Sequence, residues 1–437
     1  MKKLSVKKCV LLLTAAFLAV VLSACDFLKA LPAYFTPETV TPYLEVVPDD
    51  LTYSEGYEPV TSAYSFDMLP LEGEKQLYTK LLDVCYDLSP EKEDDGTYAM
   101  PQVKIEGYSL TDSQARTAIK ALTDDHPEIF WLSRLTMGYY TDGESTLIQL
   151  YSIYSPEEVD ARVNALRTAV NEFYATVPDG LSVFERQVRV HDFLIDSVEY
   201  DSNVELDDLD NYDPDVFTVY GAMVNHVAVC EGYARAFQML MNGLGVECVG
   251  LMGQSQGENH MWNAVKQDGL WYQTDVTWDD QEQPYARHIY CNVSEDFMLQ
   301  DHTLSPLFTD LSDSEINGDG GIFDASVMNI FVPQCTDDRH SYYAQKAPRL
   351  IDFEAEELKS HLLTAALSKE EYFVFYIDEG LDFDDTVSQL FADYPQYFFG
   401  YLRDVDYSLP DYSIDSSNAS YFTDDKSRIV AVELHYY

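Results

Sequence analysis

Positive charge is what this chain has least of. Its 437 residues hold 27 Lys+Arg against 76 Asp+Glu, a formal net charge of -49. Such a surface repels phosphate backbones, which argues against nucleic acid as a direct partner. Metal signatures are missing as well. No Cys-x-x-Cys and no His-Glu-x-x-His occurs, so neither a zinc site nor another cofactor is implied. The acid cluster Asp207, Asp208, Asp210, Asp213 and Asp215 lacks the turn Gly and terminal Glu of a calcium loop and reads as a solvated loop. After the N-terminal segment no apolar run is long enough to cross a membrane. The aromatic poverty of acidic disordered chains is also absent. Aromatic content is 14% and hydrophobic content 46%, enough for a sizeable core. The length allows two to three domains, or one domain with large additions.

The N-terminus stands apart from the fold. Lys2, Lys3, Lys7 and Lys8 precede an apolar run from Cys9 to Val21, and Leu22-Ser23-Ala24-Cys25 closes it. That order is a secretory signal over 1–24. The closing tetrad resembles a bacterial lipobox. The resemblance implies cleavage before Cys25, a lipid on its sulfur, and an extracytoplasmic chain anchored to the bacterial cell membrane. Residues 25–70, rich in Pro, Thr, Tyr and acid, read as a tether. Setting aside Cys9 and Cys25 leaves Cys85, Cys230, Cys248, Cys291 and Cys335, an odd number, so at least one thiol stays free.

Three regions follow: an N-terminal α+β region over 71–178, a central one over 179–300, and a C-terminal α+β region over 301–437. Helices are expected over Glu72–Leu88, over Asp112–Leu122 with Thr111 as cap, and from Pro156 to about Ala175. A strand is expected over Leu147–Tyr154. The far end echoes this order. Asp393-Tyr394-Pro395-Gln396-Tyr397-Phe398-Phe399 repeats the spacing of Asp125 to Trp131, and Phe422 to Val430 that of Tyr140 to Ile148. Duplication of a helix, Pro break and aromatic strand explains this, and so does chance matching of aromatic strands.

The centre carries the chemistry. Phe184–Ser197 reads as an amphipathic helix that holds His191 on its apolar face, as a structural residue rather than a base. Cys230 opens the next helix, which runs to about Asn242 with Gly243 placed to stop it. A helix start favours a thiolate and offers the Cys230 N–H as an oxyanion donor, whereas the charge of Glu231 opposes it. Gly232 leaves room for another backbone or a substrate. Strands over Val246–Met252, His260–Gln267 and Leu270–Thr277 follow. Asp268-Gly269 joins the last two as a two-residue hairpin. Counting outward from Gln267 opposite Leu270 puts Trp262 opposite Asp275 and His260 opposite Thr277. His260 and Asp275 then share a face as diagonal neighbours, ~7–8 Å apart at Cα. Asp275 would orient the His260 ring, whose other nitrogen faces Cys230. Trp262 either shields this pair or simply packs the core.

Cys230-Glu231-Gly232-Tyr233-Ala234, then His260-Met261-Trp262-Asn263, then Trp271 to Asp279 together resemble the transglutaminase-like superfamily of papain-like thiol enzymes. The similarity covers roughly Phe184 to Asp280, with Tyr200-Asp201. It implies an α+β core in which the helix carrying the Cys packs on an antiparallel sheet. It also implies Cys230 as nucleophile, His260 as base and Asp275 as orienter. Tyr220 is a candidate second oxyanion donor, with packing as its other role. Expected chemistry is acyl transfer from an amide through a thioester, on a peptide, protein or cell-wall peptide. The alternative is a silent thiol-enzyme fold serving as a surface binding or scaffold lipoprotein.

Overall fold

Among the described residues, side-chain caps and tight turns fix several of the element ends. The computed structural model describes residues 57–60, 63–204, 213–307, 328–417 and 419–437. The segment 1–24, Cys25, most of the 25–70 tether and Asp207, Asp208 and Asp210 lie outside the described residues. Among the described residues no helix is long and apolar enough to cross a membrane.

The N-terminal region opens with helix α1 (Glu72–Val84), strand β1 (Val103–Glu106) and helix α2 (Asp112–Asp125). Strands β2 (Leu132–Thr141) and β3 (Ser145–Ser152) and helix α3 (Pro156–Tyr174) complete it. Helix α1 ends short of the expected Leu88. Thr111 caps α2 by accepting from the Gln114 N–H, while the Gln114 side chain accepts from the Thr111 N–H at 2.9 Å. Such a reciprocal box is worth about 0.5–2 kcal/mol. Ser155 and Glu158 repeat it at the start of α3, beside Pro156. Strand β3 lies between β1 and β2, antiparallel to both.

The central region holds helix α4 (Val183–Ser197) and helix α5 (Cys230–Gly243). Strands β4 (Cys248–Ser255), β5 (Glu258–Gln267) and β6 (Leu270–Thr274) follow, then the short helix α6 (Val276–Asp279) and strands β7 (Cys291–Val293) and β8 (His302–Leu304). The sheet order is β7-β6-β5-β4-β8, all antiparallel. Because β8 comes from beyond residue 300, the central sheet runs past that boundary. Helix α5 sits between α4 and the sheet, so most of its residues are buried, including Phe237, Leu240 and Met241. Gly243 belongs to α5 rather than stopping it. A Cβ there would lie 1.7 Å from the Tyr174 hydroxyl, so this glycine makes room for a neighbour. Gly245, at φ 72, is the left-handed residue that ends the turn.

The hairpin forms as its sequence demands. Asp268 (φ 51) and Gly269 (φ 82) both take the left-handed region, as a two-residue primed turn needs. Gln267 pairs with Leu270, and the register continues to Asn263 opposite Thr274. There β6 stops, three residues before the expected Thr277. The Asp275 side chain accepts from the Trp278 N–H at 3.1 Å and opens α6. A local carboxylate-to-backbone bond thus replaces the strand ladder.

The C-terminal region contains helix α7 (Glu356–Leu367), strand β9 (Tyr372–Ile377), helices α8 (Phe383–Phe391) and α9 (Tyr397–Asp406), and strands β10 (Tyr421–Asp424) and β11 (Ile429–Glu433). Strand β11 pairs antiparallel with both β9 and β10. Tyr397-Phe398-Phe399, expected as an aromatic strand, instead opens α9. Phe398, Tyr401, Leu402 and Val405 recur at helical spacing on its buried face. The echo with the N-terminal region therefore fails at the strand. It survives at the turn, where Asp142 accepts from Ser145 N at 2.7 Å and Asp424 from Ser427 N at 2.8 Å.

Candidate active site

The start of α5 is pressed onto neighbouring backbone. A Cβ on Gly232 would lie 2.6 Å from the Val216 carbonyl oxygen and 2.8 Å from Ala228 Cβ. Glycine is needed there for another backbone, one of the two uses its position suggested. The same packing leaves Cys230 half-buried at the first helical position, where first-turn N–H groups have no partner within the helix.

Strand β5 brings His260 to this thiol. The His260 Nε2–H donates to Asp275 Oδ2 at 2.6 Å. Cys230 is among the groups that act on the ring. Burial disfavours a charged His260, but the Asp275 carboxylate, its hydrogen bond to the ring and Cys230 outweigh it and push the ring up to about 10. Asp275 is fully buried. Burial alone would raise it, yet His260 and then His302 hold it well below the usual carboxylate range. Of the three residues singled out by sequence, His260 and Asp275 are therefore in direct contact, and Cys230 acts on the same imidazole.

A fourth residue stands with them that the sequence did not signal. His302, on β8, places Nε2 at 3.0 Å from Asp275 Oδ2 and Nδ1 at 2.6 Å from Asp301 Oδ1. It comes from a strand that closes the far edge of the sheet, and no local motif marks it. Tyr290 holds both ends of the short α6 helix. Its carbonyl accepts from the Asp275 N–H at 3.1 Å, and its N–H donates to Asp279 Oδ1 at 2.9 Å.

Several neighbours take definite roles. Glu231 does not oppose the thiol as expected, because it is neutralised. Arg134 meets it with two bonds of 2.9 and 2.6 Å, and Arg235 Nε donates at 2.8 Å. Burial notwithstanding, Arg134 and Arg235 hold the Glu231 carboxyl down at about 2. Trp262 is fully buried among Val249, Leu251 and Ala264 while its ring stacks on His260 at 5.9 Å, so packing and shielding are one role. Tyr220 packs between the Phe130 ring and the Arg162 guanidinium, which fits packing. Burial, then Cys230, Glu258 and Asp275, push the Tyr200 hydroxyl up to about 12.

His191 is fully buried, with Nε2 at 3.1 Å from Asp279 and Nδ1 at 3.2 Å from Asp192. Burial opposes its charge, but the two carboxylates raise it to about 9. It clamps α4 to α6, a structural task. His191, Asp192 and His288 form one group with ligand atoms within 4.8 Å of one another, and His260, Asp275 and His302 form another. In each group the carboxylate already pairs with both imidazoles, so hydrogen bonding accounts for the clustering. Cys85, Cys248, Cys291 and Cys335 are buried, and burial raises each thiol.

A half-exposed thiol at a helix start, facing an imidazole held by a carboxylate on an antiparallel sheet, is the core of a papain-like thiol-enzyme fold. Comparison with known proteins narrows the class. Residues 167–276 match the model of the transglutaminase-like superfamily, so this central stretch carries a transglutaminase-like core. The chain is also similar to mouse (Mus musculus) kyphoscoliosis peptidase, at 26% identity over 137 residues, covering 28% of this chain and 20% of that protein. It thus spans about a fifth of the length of that curated relative. A solved TGase structure aligns over 42% of this chain and 52% of its own, at 13% identity and a TM-score of 0.25. A candidate cysteine protease from Cytophaga hutchinsonii aligns over 43% and 68%, at 10% identity and a TM-score of 0.21. These two overall likenesses are too slight to bear on function.

Proposed function

We propose that this chain is a thiol enzyme that opens an amide through a Cys230 thioester, most simply as a peptidase or amidase. The observation that carries this is the 2.6 Å bond from His260 to the buried Asp275, on a ring whose charge Cys230 also favours, with Cys230 half-exposed at the start of α5. The Cys230 sulfur attacks the carbonyl carbon as a thiolate, with the proton already held on His260. Collapse of the tetrahedral intermediate breaks the C–N bond, and His260 returns the proton to the leaving amine. A thioester remains. Water, or a second amine, attacks it with His260 as base and frees the thiol. The Cys230 N–H at the helix start is one oxyanion donor. The peptidase name of the mouse relative favours peptide over other amides. The signal and lipobox pattern at Leu22-Ser23-Ala24-Cys25 favours an extracytoplasmic, lipid-anchored protein acting on peptide or cell-wall peptide.

The test is incubation with a peptide library and with peptidoglycan fragments, comparing wild type and Cys230→Ala by mass spectrometry. Cleaved or transferred products that vanish in Cys230→Ala are expected. Identical spectra from both proteins would leave a silent binding fold as the better account.

A further inference from the structure

The C-terminal region sends one cation into the support of the candidate site. Lys426 sits in the turn between β10 and β11, a place where lysine ordinarily extends into water. Here only 11% of its side chain is exposed. Its ammonium lies 4.1 Å from the Phe297 ring centre and 4.5 Å from that of Tyr290, a cation held over two aromatic faces. It donates to Asp301 Oδ2 at 2.7 Å. The Tyr290 hydroxyl donates to the same oxygen, also at 2.7 Å.

From Asp301 a continuous line of bonds leads inward. Asp301 Oδ1 meets His302 Nδ1 at 2.6 Å, His302 Nε2 meets Asp275 Oδ2 at 3.0 Å, and Asp275 Oδ2 meets His260 Nε2 at 2.6 Å. Every residue in this line except Lys426 belongs to the central sheet or to the segments that adjoin its strands. The turn itself is braced, since Asp424 Oδ2 accepts from Ser427 N at 2.8 Å. Phe422 and Tyr372 of the same sheet pack on Tyr285, with ring centres 4.9 and 5.1 Å away.

We propose that Lys426 is a positioning residue for the Cys230–His260–Asp275 group, acting through Asp301 and His302. The reactive arrangement is then complete only with the C-terminal sheet docked. This rests on the thiol-enzyme reading above. Without the ammonium, Asp301 keeps a tyrosine hydroxyl but loses its charged partner. His302 loses a fixed acceptor, and the Asp275 carboxylate, still held by the Trp278 N–H and His260, loses a fixed partner on its His302 side. An imidazole that samples several orientations meets the thiol less often in a productive one.

The experiment uses the full chain and measures the second-order rate of Cys230 alkylation by iodoacetamide. His260→Ala sets the floor. Lys426→Ala and Asp301→Asn should each lower the rate about tenfold, roughly what one charge-assisted bond is worth. Lys426→Arg, which keeps a cation over both rings, should restore it to within about twofold. The low-field proton resonance of the His260–Asp275 bond should broaden in Lys426→Ala and sharpen again in Lys426→Arg, which a change in global stability would not produce. Asp301→Asn, made within the central region, keeps the test open should Lys426→Ala fold poorly. A rate that depends on His260 but is unchanged in Lys426→Ala or, where that variant does not fold, in Asp301→Asn would overturn this proposal alone. A wild-type rate no faster than that of His260→Ala would sink the thiol-enzyme reading and this proposal with it.

Discussion

Replacing Asp275 by Asn should make stability depend on pH in a way that exposes the buried pair. Asn keeps the size of Asp, and its oxygen can still cap Trp278 N, which Asp275 accepts at 3.1 Å. What it removes is the charge that faces His260 at 2.6 Å and His302 at 3.0 Å. His260 rises from 6.5 to about 10 in the folded chain. At about 1.36 kcal/mol per pH unit this sets a ceiling of about 5 kcal/mol. Breaking a buried pair typically costs about 3–5 kcal/mol, and the retained cap puts Asp275→Asn near about 3 kcal/mol. The sign follows from the two directions. His260 is raised on folding, so its contribution is full below about 6.5 and is lost as pH rises through about 10. Asp275 is lowered, so its contribution is present above its ordinary value of 3.8 and is lost as pH falls. Thermal unfolding of wild type and Asp275→Asn should therefore differ most at about pH 4–6.5 and converge toward about pH 10. A gap that stays constant across that range, or no gap at about pH 6, would refute the buried ion pair.

Three further outcomes are expected. Arg134→Ala removes the two-bond partner of Glu231. Because Arg134 is 47% exposed and Arg235 remains, the cost should be only about 1–2 kcal/mol in denaturant unfolding. Gly232→Ala places a Cβ 2.6 Å from the Val216 carbonyl oxygen. It should cost about 1–3 kcal/mol and slow Cys230 alkylation together with stability, because the helix start has to move. His191→Asn breaks the clamp on Asp279. Since His191 is raised to about 9, the lost stability, about 3 kcal/mol in urea unfolding, should be greatest below about 6.5 and vanish as pH rises through about 9.

The two-residue turn made the site legible. Asp268-Gly269 sets the register of β5 and β6 from local chemistry alone as far as Asn263 opposite Thr274; the expected pairs Trp262–Asp275 and His260–Thr277 do not form, yet Asp275, at the cap of α6, still meets His260. Caps were equally plain, since Thr111 and Ser155 are followed three residues later by Gln114 and Glu158. What sequence hid was long-range. The pairing of Arg134 with Glu231 spans 97 positions, so neighbour reasoning saw only an unfavourable charge. His302 reaches Asp275 because β8 joins the sheet edge beside β4, a pairing with no local signature. Tyr397-Phe398-Phe399 has strand-like composition, but the buried helical stripe that continues to Val405 overrides it. Gly243 resembles a helix stop in the sequence because its packing partner, Tyr174, lies in a distant helix.

The central claim is that Cys230, His260 and Asp275 act as one unit, and native-state thiol labelling tests it most directly. Wild type, His260→Ala and Asp275→Asn are exposed to iodoacetamide, and each cysteine is followed by mass spectrometry. The account predicts that Cys230 reacts well ahead of buried Cys85 and Cys335, and that both substitutions slow Cys230 relative to the other two. Cys230 reacting no faster than Cys85 or Cys335, at a rate indifferent to His260→Ala, would contradict it.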